Sequence, residues 1–145
     1  MKAVVQRVSS ASVGVAGECV GDIGPGLLVL LGLDRGDDRA SAQRMVERLL
    51  AYRLFPDDDG RMNRSVSDTG GGVLLVSQFT LSADTRRGLR PGFSGAMPPE
   101  EARALYQFTL NELQRRHGPV AAGVFGADMQ VSLVNDGPVT FILEG

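Results

Sequence analysis

A chain with one histidine and one cysteine leaves few of the common catalytic constellations open. His117 and Cys19 are the only residues of their types, so one copy can build neither a histidine-ligated zinc, a cysteine cluster nor an intrachain disulfide. His117 falls in the last turn of an expected helix, just before Gly118. There a histidine serves as a C-terminal cap favoured by the helix dipole, whereas a general base would also need a partner and a pocket. Ser77, in "VLLVSQFTL", has no G-x-S-x-G elbow around it. The run Asp57-Asp58-Asp59-Gly60 lacks the alternating ligands and closing glutamate of a calcium loop and reads as a solvated turn. Gly70-Gly71-Gly72 precedes a strand and is followed by no Gly-Lys-Ser/Thr, so it is a flexible turn and not a phosphate loop. No metal and no cofactor is expected. What remains is two segments that bring small hydroxyl residues and backbone groups to strand ends: "SQFTL", Ser77 to Leu81, and "NDGPVT", Asn135 to Thr140. Pro138 has no amide hydrogen and a fixed φ, and its place at the mouth of the last strand reads as a pocket wall.

These segments need elements to hold them. Met1 to Val8 alternates and is valine-rich, and Ala11 to Val15 with Glu18 to Ile23 resembles a hairpin turned at Ala16-Gly17. Leu27 to Leu33 is a continuous apolar run, the mark of a strand buried on both faces. A helix capped by Asp37 or Asp38 follows, with Ala42, Met45, Val46, Leu49 and Leu50 forming one stripe. Beyond Phe55 the chain is turn-rich, with at most a short strand around Met62 to Val66. Val73 to Phe79 is strongly β in character. Ser82 to Met97 is a long arginine-bearing loop, of a length that is more often functional than idle. Pro98-Pro99-Glu100-Glu101 opens a second helix with Leu105, Tyr106, Phe108, Leu110 and Leu113 on its apolar face, ended by Gly118-Pro119. The remainder reads as two or three strands, with Met129 to Val134 and Val139 to Leu143 separated at Gly137-Pro138. The expected fold is one mixed α/β domain (α+β): a mainly antiparallel, barrel-like sheet covered by two helices.

Composition limits the partners. The 145 residues are 43% hydrophobic and 22% charged, ordinary for a single globular domain, and the formal net charge of -2 argues against coating nucleic acid by bulk charge. Any such contact must be local. Lys2 is the only lysine, so the positive charge is nearly all arginine, the residue suited to forked contacts with phosphate. The longest apolar run is far too short to cross a bilayer and no signal-length apolar core opens the chain, so a cytoplasmic protein with no membrane partner is expected.

Taken together, "SQFTL" and "NDGPVT", with "GLRPGFSGAMPPE" between them and "QRVSSASV" and "GDIGPGLLVLLGL" near the start, resemble the D-aminoacyl-tRNA deacylase family, formerly called D-tyrosyl-tRNA deacylase. The likeness runs from Met1 to the final strand in the family's order and spacing. One departure is Arg64 in "MNRSV", where many relatives carry an apolar residue. It bears only on how that loop packs.

The resemblance implies hydrolysis of the ester joining a D-amino acid to the terminal adenosine of tRNA, with the L-ester spared. That ester is already labile, so orienting water and stabilising the oxyanion is sufficient chemistry. Ser77, Gln78, Phe79 and Thr80 would form the catalytic segment, with the amides of Phe79 and Thr80 as oxyanion donors. Thr80 as a nucleophile is the competing reading, but it lacks an evident base. The resemblance further implies that the Gly137-Pro138 peptide is cis and enters the active site of the partner in a homodimer. There it would exclude L side chains by collision and let achiral glycine pass. Arg7 resembles the arginine that braces this loop, the alternative being an exposed strand arginine. Phe125 and Met129 match positions lining the adenosine pocket, with a plain core role as the alternative. Arg86, Arg87 and Arg90 are candidates for acceptor-stem phosphates, against an unpartnered charged loop. The expected partner is the aminoacylated 3' end of tRNA, not DNA.

Overall fold

The computed structural model describes residues 1–145, and its spine is a single strand, β1 (Lys2–Val15), where the sequence pattern suggests two. On one edge the first half of β1 pairs antiparallel with β3 (Gly26–Gly32) and the second half with β2 (Glu18–Ile23). On the other edge it pairs along nearly its whole length with β8 (Gln130–Glu144). The β1–β2 turn lies at Ala16-Gly17 as expected, both with positive φ (50° and 83°), the geometry whose twist matches the flanking strands. β3 also pairs parallel with β6 (Gly72–Ser77), and β6 pairs parallel with β7 (Val120–Ala122). The sheet is thus mainly antiparallel with two parallel ladders. It nearly closes on itself, since a Cβ added to Gly21 of β2 would come 2.8 Å from the Ala122 carbonyl oxygen of β7.

Period-two alternation splits the apolar strands between two cores. Ala3, Val5, Leu27, Val29, Leu31, Val73 and Leu75 pack with the helices. Val8, Val13, Ile23, Leu28, Leu74 and Val76 fill the barrel interior. This is why Leu27 to Leu33 reads as a continuous apolar run.

Helix α1 (Arg39–Ala51) begins at Asp38, whose carboxylate accepts the Ser41 amide at 2.8 Å. Ala42, Met45, Val46, Leu49 and Leu50 are buried as the spacing requires, the larger ones worth roughly 1.5–3 kcal/mol each. The turn-rich segment holds β4 (Phe55–Pro56), paired with β5 (Met62–Arg64), and a short helix, α2 (Val66–Thr69), beyond the two expected. Ser65 and Asp68 cap α2 reciprocally, a signal present in "SVSD". Arg64 points outward and pairs with Asp58 at 2.8 Å, so the apolar-to-arginine departure costs no buried charge. Helix α3 (Pro99–Arg116) buries Leu105, Tyr106, Leu110 and Leu113, whereas Phe108 is half-buried beneath the Arg39 guanidinium, 4.9 Å from its ring centre. His117 caps α3 through its backbone amide, and its ring contacts the Gly71 carbonyl at 2.7 Å.

The expected division of the last segment into two strands does not hold. Both halves run along the same partner, β1, so Gly137-Pro138 is a bulge in one strand and not a hairpin turn.

Candidate functional site

β6 stops at Ser77, two residues sooner than its apolar pattern suggests, and Phe79–Ser82 coil into one 3-10 turn. Four hydrogen bonds fix that turn. The Gln78 amide donates to the Leu31 carbonyl (2.8 Å), Leu81 to Gln78 (3.2 Å), Ala83 to Thr80 (3.1 Å), and the Ser82 hydroxyl to the Leu33 carbonyl (3.2 Å). None of these bonds takes up the amides of Phe79 or Thr80, which stand at the start of the turn where no intrahelical acceptor exists. Gly32 permits the close approach, because a Cβ there would lie 2.8 Å from Leu81 Cβ and 3.1 Å from the Gln78 carbonyl oxygen.

The Thr80 hydroxyl accepts a hydrogen bond from the Gln78 side-chain amide, a donor that cannot act as a base. His117, tied to Gly71, sits at the opposite end of β6, roughly 16–20 Å away at strand spacing. No group of histidine, cysteine and acidic side chains is arranged to hold a metal ion.

Ser77, Gln78 and Phe79 line a cleft of about 710 Å³ together with Phe125, Gly126, Ala127, Met129, Phe93 and Arg35, a size and apolar character typical of small-ligand sites. Phe125 belongs both to the core and to the cleft: its ring is 5.7 Å from that of Tyr106, and the Arg103 guanidinium lies 4.8 Å over it. Behind it the buried Tyr106 hydroxyl donates to the Leu75 carbonyl at 3.0 Å, and burial pushes its pKa up to about 12. Thr80 lies beside the cleft without lining it.

A second group of the expected residues gathers elsewhere. Gln6 opposes Thr140 and Val8 opposes Asn135, so the single residue Arg7 faces four residues of β8, Asp136 to Val139. The Gly137-Pro138 peptide in this bulge is cis, and both residues are exposed. Gly137 has φ 137°, and a Cβ there would lie 2.6 Å from Val139 Cγ2 and 3.3 Å from an Arg7 Nη atom, so only glycine fits unstrained. Arg7 donates from Nε to the Asp136 carbonyl (3.1 Å) and from Nη1 to the Leu54 carbonyl (2.8 Å). Asn135 closes the neck of the bulge, its Oδ1 accepting from the Val139 amide (3.1 Å) and its Nδ2 donating to Thr140 Oγ1 (2.9 Å). Sequence reasoning did not assign Asn135. The usable signal was its amide side chain just ahead of a Gly-Pro turn.

Within one chain the elbow does not line the cleft. Arg7 pairs with Leu27 of β3 and Ser77 with Leu31, a separation of about 13 Å along the strand. The outward edge of β8 carries no ladder partner, and its exposed side chains include Val134 (57% exposed) and Ile142 (67% exposed).

The loop arginines differ among themselves. Arg86 is engaged twice by Asp84, at 2.9 and 2.8 Å, and its hydrogen bonds hold the Asp84 carboxyl well below the usual range. Arg87 and Arg90 are exposed without a carboxylate partner. No helix is long and apolar enough to cross a membrane.

A family model described as D-Tyr-tRNA(Tyr) deacylase matches residues 4–144. The chain is 60% identical over 144 residues to "D-aminoacyl-tRNA deacylase" of Stutzerimonas stutzeri (strain A1501), and 61% identical over 144 residues to the protein of that name from Azotobacter vinelandii, covering 99% of each chain in both cases. A solved structure titled "c-Myc DNA Unwinding Element Binding Protein" matches with TM-score 0.95 at 44% identity, covering 100% of this chain and 99% of that one. Another, titled as a probable eukaryotic D-amino acid tRNA deacylase, shares the fold at 15% identity with TM-score 0.83, covering 98% and 97%. With likeness of this degree along its whole length, the chain belongs to the D-Tyr-tRNA(Tyr) deacylase family.

Proposed function

We propose that this protein hydrolyses the ester of D-aminoacyl-tRNA, releasing the D-amino acid and tRNA while sparing L-aminoacyl-tRNA. The observation that carries the mechanism is the pair of Phe79 and Thr80 amides left without acceptors beside an apolar cleft. Two such donors stabilise the oxyanion of a tetrahedral intermediate, a single one being worth a factor of about 100–1000 in rate. The proton transfers fall to water and to the vicinal ribose hydroxyl of the terminal adenosine, since no side-chain base reaches Thr80. Phe125 and Met129 hold the adenosine. Ser77 and Gln78 set the turn that presents the amides.

Stereochemical selection comes from a second copy. The exposed Gly137-Pro138 elbow lies outside its own chain's cleft, and the unpaired edge of β8 with its exposed valine and isoleucine is a surface that association would cover. In the homodimer each elbow enters the partner's cleft, braced from behind by Arg7, and its rigid main chain occupies the space an L side chain would need. A D side chain points to solvent. Glycine has nothing to collide, so glycyl-tRNA is also cleaved. Arg87 and Arg90 meet acceptor-stem phosphates more readily than Arg86, which must first leave Asp84. The enzyme acts in the cytoplasm, where its tRNA substrates are.

The test is incubation of the purified protein with matched D- and L-aminoacyl-tRNA. Rapid loss of the D-ester alone is expected. Binding of both without loss would leave a noncatalytic RNA-binding module.

A further inference from the structure

Phe79 and Phe93 form an aromatic pair of their own at the cleft, with ring centres 5.1 Å apart and planes inclined by 48°. It is separate from the Tyr106–Phe125 pair. Phe79 is 63% exposed and Phe93 38% exposed, so the pair keeps an open aromatic surface at a site otherwise built to bury apolar groups. Beside it stands Arg35. Its backbone amide donates to the Gly95 carbonyl at 2.9 Å and its Nε to the Ser94 carbonyl at 2.7 Å, so main chain and guanidinium are each tied to one of the two residues following Phe93. No carboxylate pairs with Arg35, and its terminal nitrogens make no hydrogen bond to the protein. A lip that combines an open aromatic pair with an anchored, unpaired guanidinium has the chemistry of a single-stranded nucleotide subsite, in which a base stacks and its phosphate meets arginine.

We propose that the Phe79–Phe93 pair and Arg35 form a second nucleotide subsite, which stacks the base preceding the terminal adenosine and contacts the phosphate joining the two. The inference rests on the deacylase reading above and assigns the next step of the RNA chain to named residues. The cleft holds the aminoacylated nucleoside, and the subsite lets the enzyme distinguish a polynucleotide end from a free nucleoside ester. Because Nε is already committed, Arg35 presents only its terminal nitrogens, a two-donor edge matched to a phosphodiester.

The test compares three substrates with the same D-amino acid: the 3'-ester of adenosine, the ester of the dinucleotide cytidylyl-adenosine, and the full aminoacyl-tRNA. The intact enzyme is expected to show a kcat/KM at least about tenfold higher for the dinucleotide than for the nucleoside, the scale of one base–aromatic stack. Phe93→Leu and Arg35→Gln should each lower kcat/KM more for the dinucleotide ester than for the nucleoside ester, removing most of that preference through KM. Arg35→Gln should also lower the salt slope of tRNA affinity by about 0.7, the value for one phosphate contact on a single strand. Arg35→Lys should restore the salt slope, because it restores the charge. Equal kcat/KM for nucleoside and dinucleotide would overturn the inference, as would equal losses on all three substrates in both variants. If none of the three esters is cleaved, the deacylase reading itself fails, an outcome separate from these.

Discussion

Arg7 holds Asp136 by the main chain: its Nε donates to the Asp136 carbonyl at 3.1 Å, while its Nη1 is anchored 2.8 Å from the Leu54 carbonyl on the other side. The carboxylate of Asp136 is farther off, at 3.6 Å, and is mostly exposed. The grip on the Gly137-Pro138 elbow is therefore directional and not merely an attraction of opposite charges. A lysine keeps the charge but cannot span two carbonyls with a rigid fork. Arg7→Lys should lower kcat/KM on D-aminoacyl-tRNA by about tenfold and narrow the D/L ratio, since hydrogen bonds to charged groups are worth about 1.5–3 kcal/mol and only part is lost. Parallel D and L assays check it; an unchanged ratio would remove Arg7 from the elbow's support.

Gly32 sets where the 3-10 turn can lie. A Cβ at this position meets Leu81 Cβ at 2.8 Å and the Gln78 carbonyl oxygen at 3.1 Å, neither at the far end of a flexible side chain. Gly32→Ala should displace the Gln78–Ser82 turn by a few tenths of an ångström or more, moving the Phe79 and Thr80 amides off the oxyanion. Activity should fall by at least about tenfold through kcat. A melting temperature within a few degrees of the parent protein, measured alongside, separates this from unfolding.

How far the sequence reveals this arrangement depends on the range of the interactions involved. The helix stripe of Ala42, Met45, Val46, Leu49 and Leu50 and the turn at Ala16-Gly17 are local patterns, and both stand where spacing puts them. β3 is legible as doubly buried because alternate residues serve two cores. The end of β6 is not, since "VSQFTL" is apolar enough to continue, whereas its ladder closes with the Gln78 amide on the Leu31 carbonyl of a strand 47 residues earlier. The bulge is misread for a related reason. Whether Met129 to Val134 and Val139 to Leu143 return on each other or continue along a common partner is decided by β1, more than 110 residues away. In the cleft, Phe125 and Met129 come together with Ser77, Gln78 and Phe79. Arg35 and Phe93 are also there, and no motif announced them.

Asp38 supplies a pH-dependent contribution to α1. The Ser41 amide, together with the Ser41 hydroxyl, holds its carboxyl below the usual carboxylate range. A folded-state value below the unfolded one, about 3.9, means the stabilisation is complete above that pH and is lost as pH falls through the folded value. Asn keeps the capping geometry and removes the charge. Asp38→Asn should therefore melt at a lower temperature than the parent at pH 7, and the gap should shrink as pH falls below about 4. Melting curves between pH 7 and 2 decide it; a gap that stays constant down to pH 2 would mean that charge plays no part.

Thr80 distinguishes the two routes to ester cleavage. Its hydroxyl accepts from the Gln78 amide and has no base at hand, and the one histidine is hydrogen-bonded at the far end of β6. If the backbone amide of residue 80 does the work, Thr80→Ala retains the donor and should keep kcat within about threefold, because the side chain is not a reacting group. Replacing the terminal 2'-hydroxyl of the substrate by hydrogen should cost about a hundredfold or more, the scale of a lost proton-transfer group. The opposite pattern, with Thr80→Ala inactive yet folded and able to bind and the deoxy substrate turned over normally, would make the threonine the nucleophile. Single-turnover cleavage of both substrates by both proteins gives the four rates that separate these cases, since the side-chain and ribose contributions enter the chemical step and not the release of tRNA.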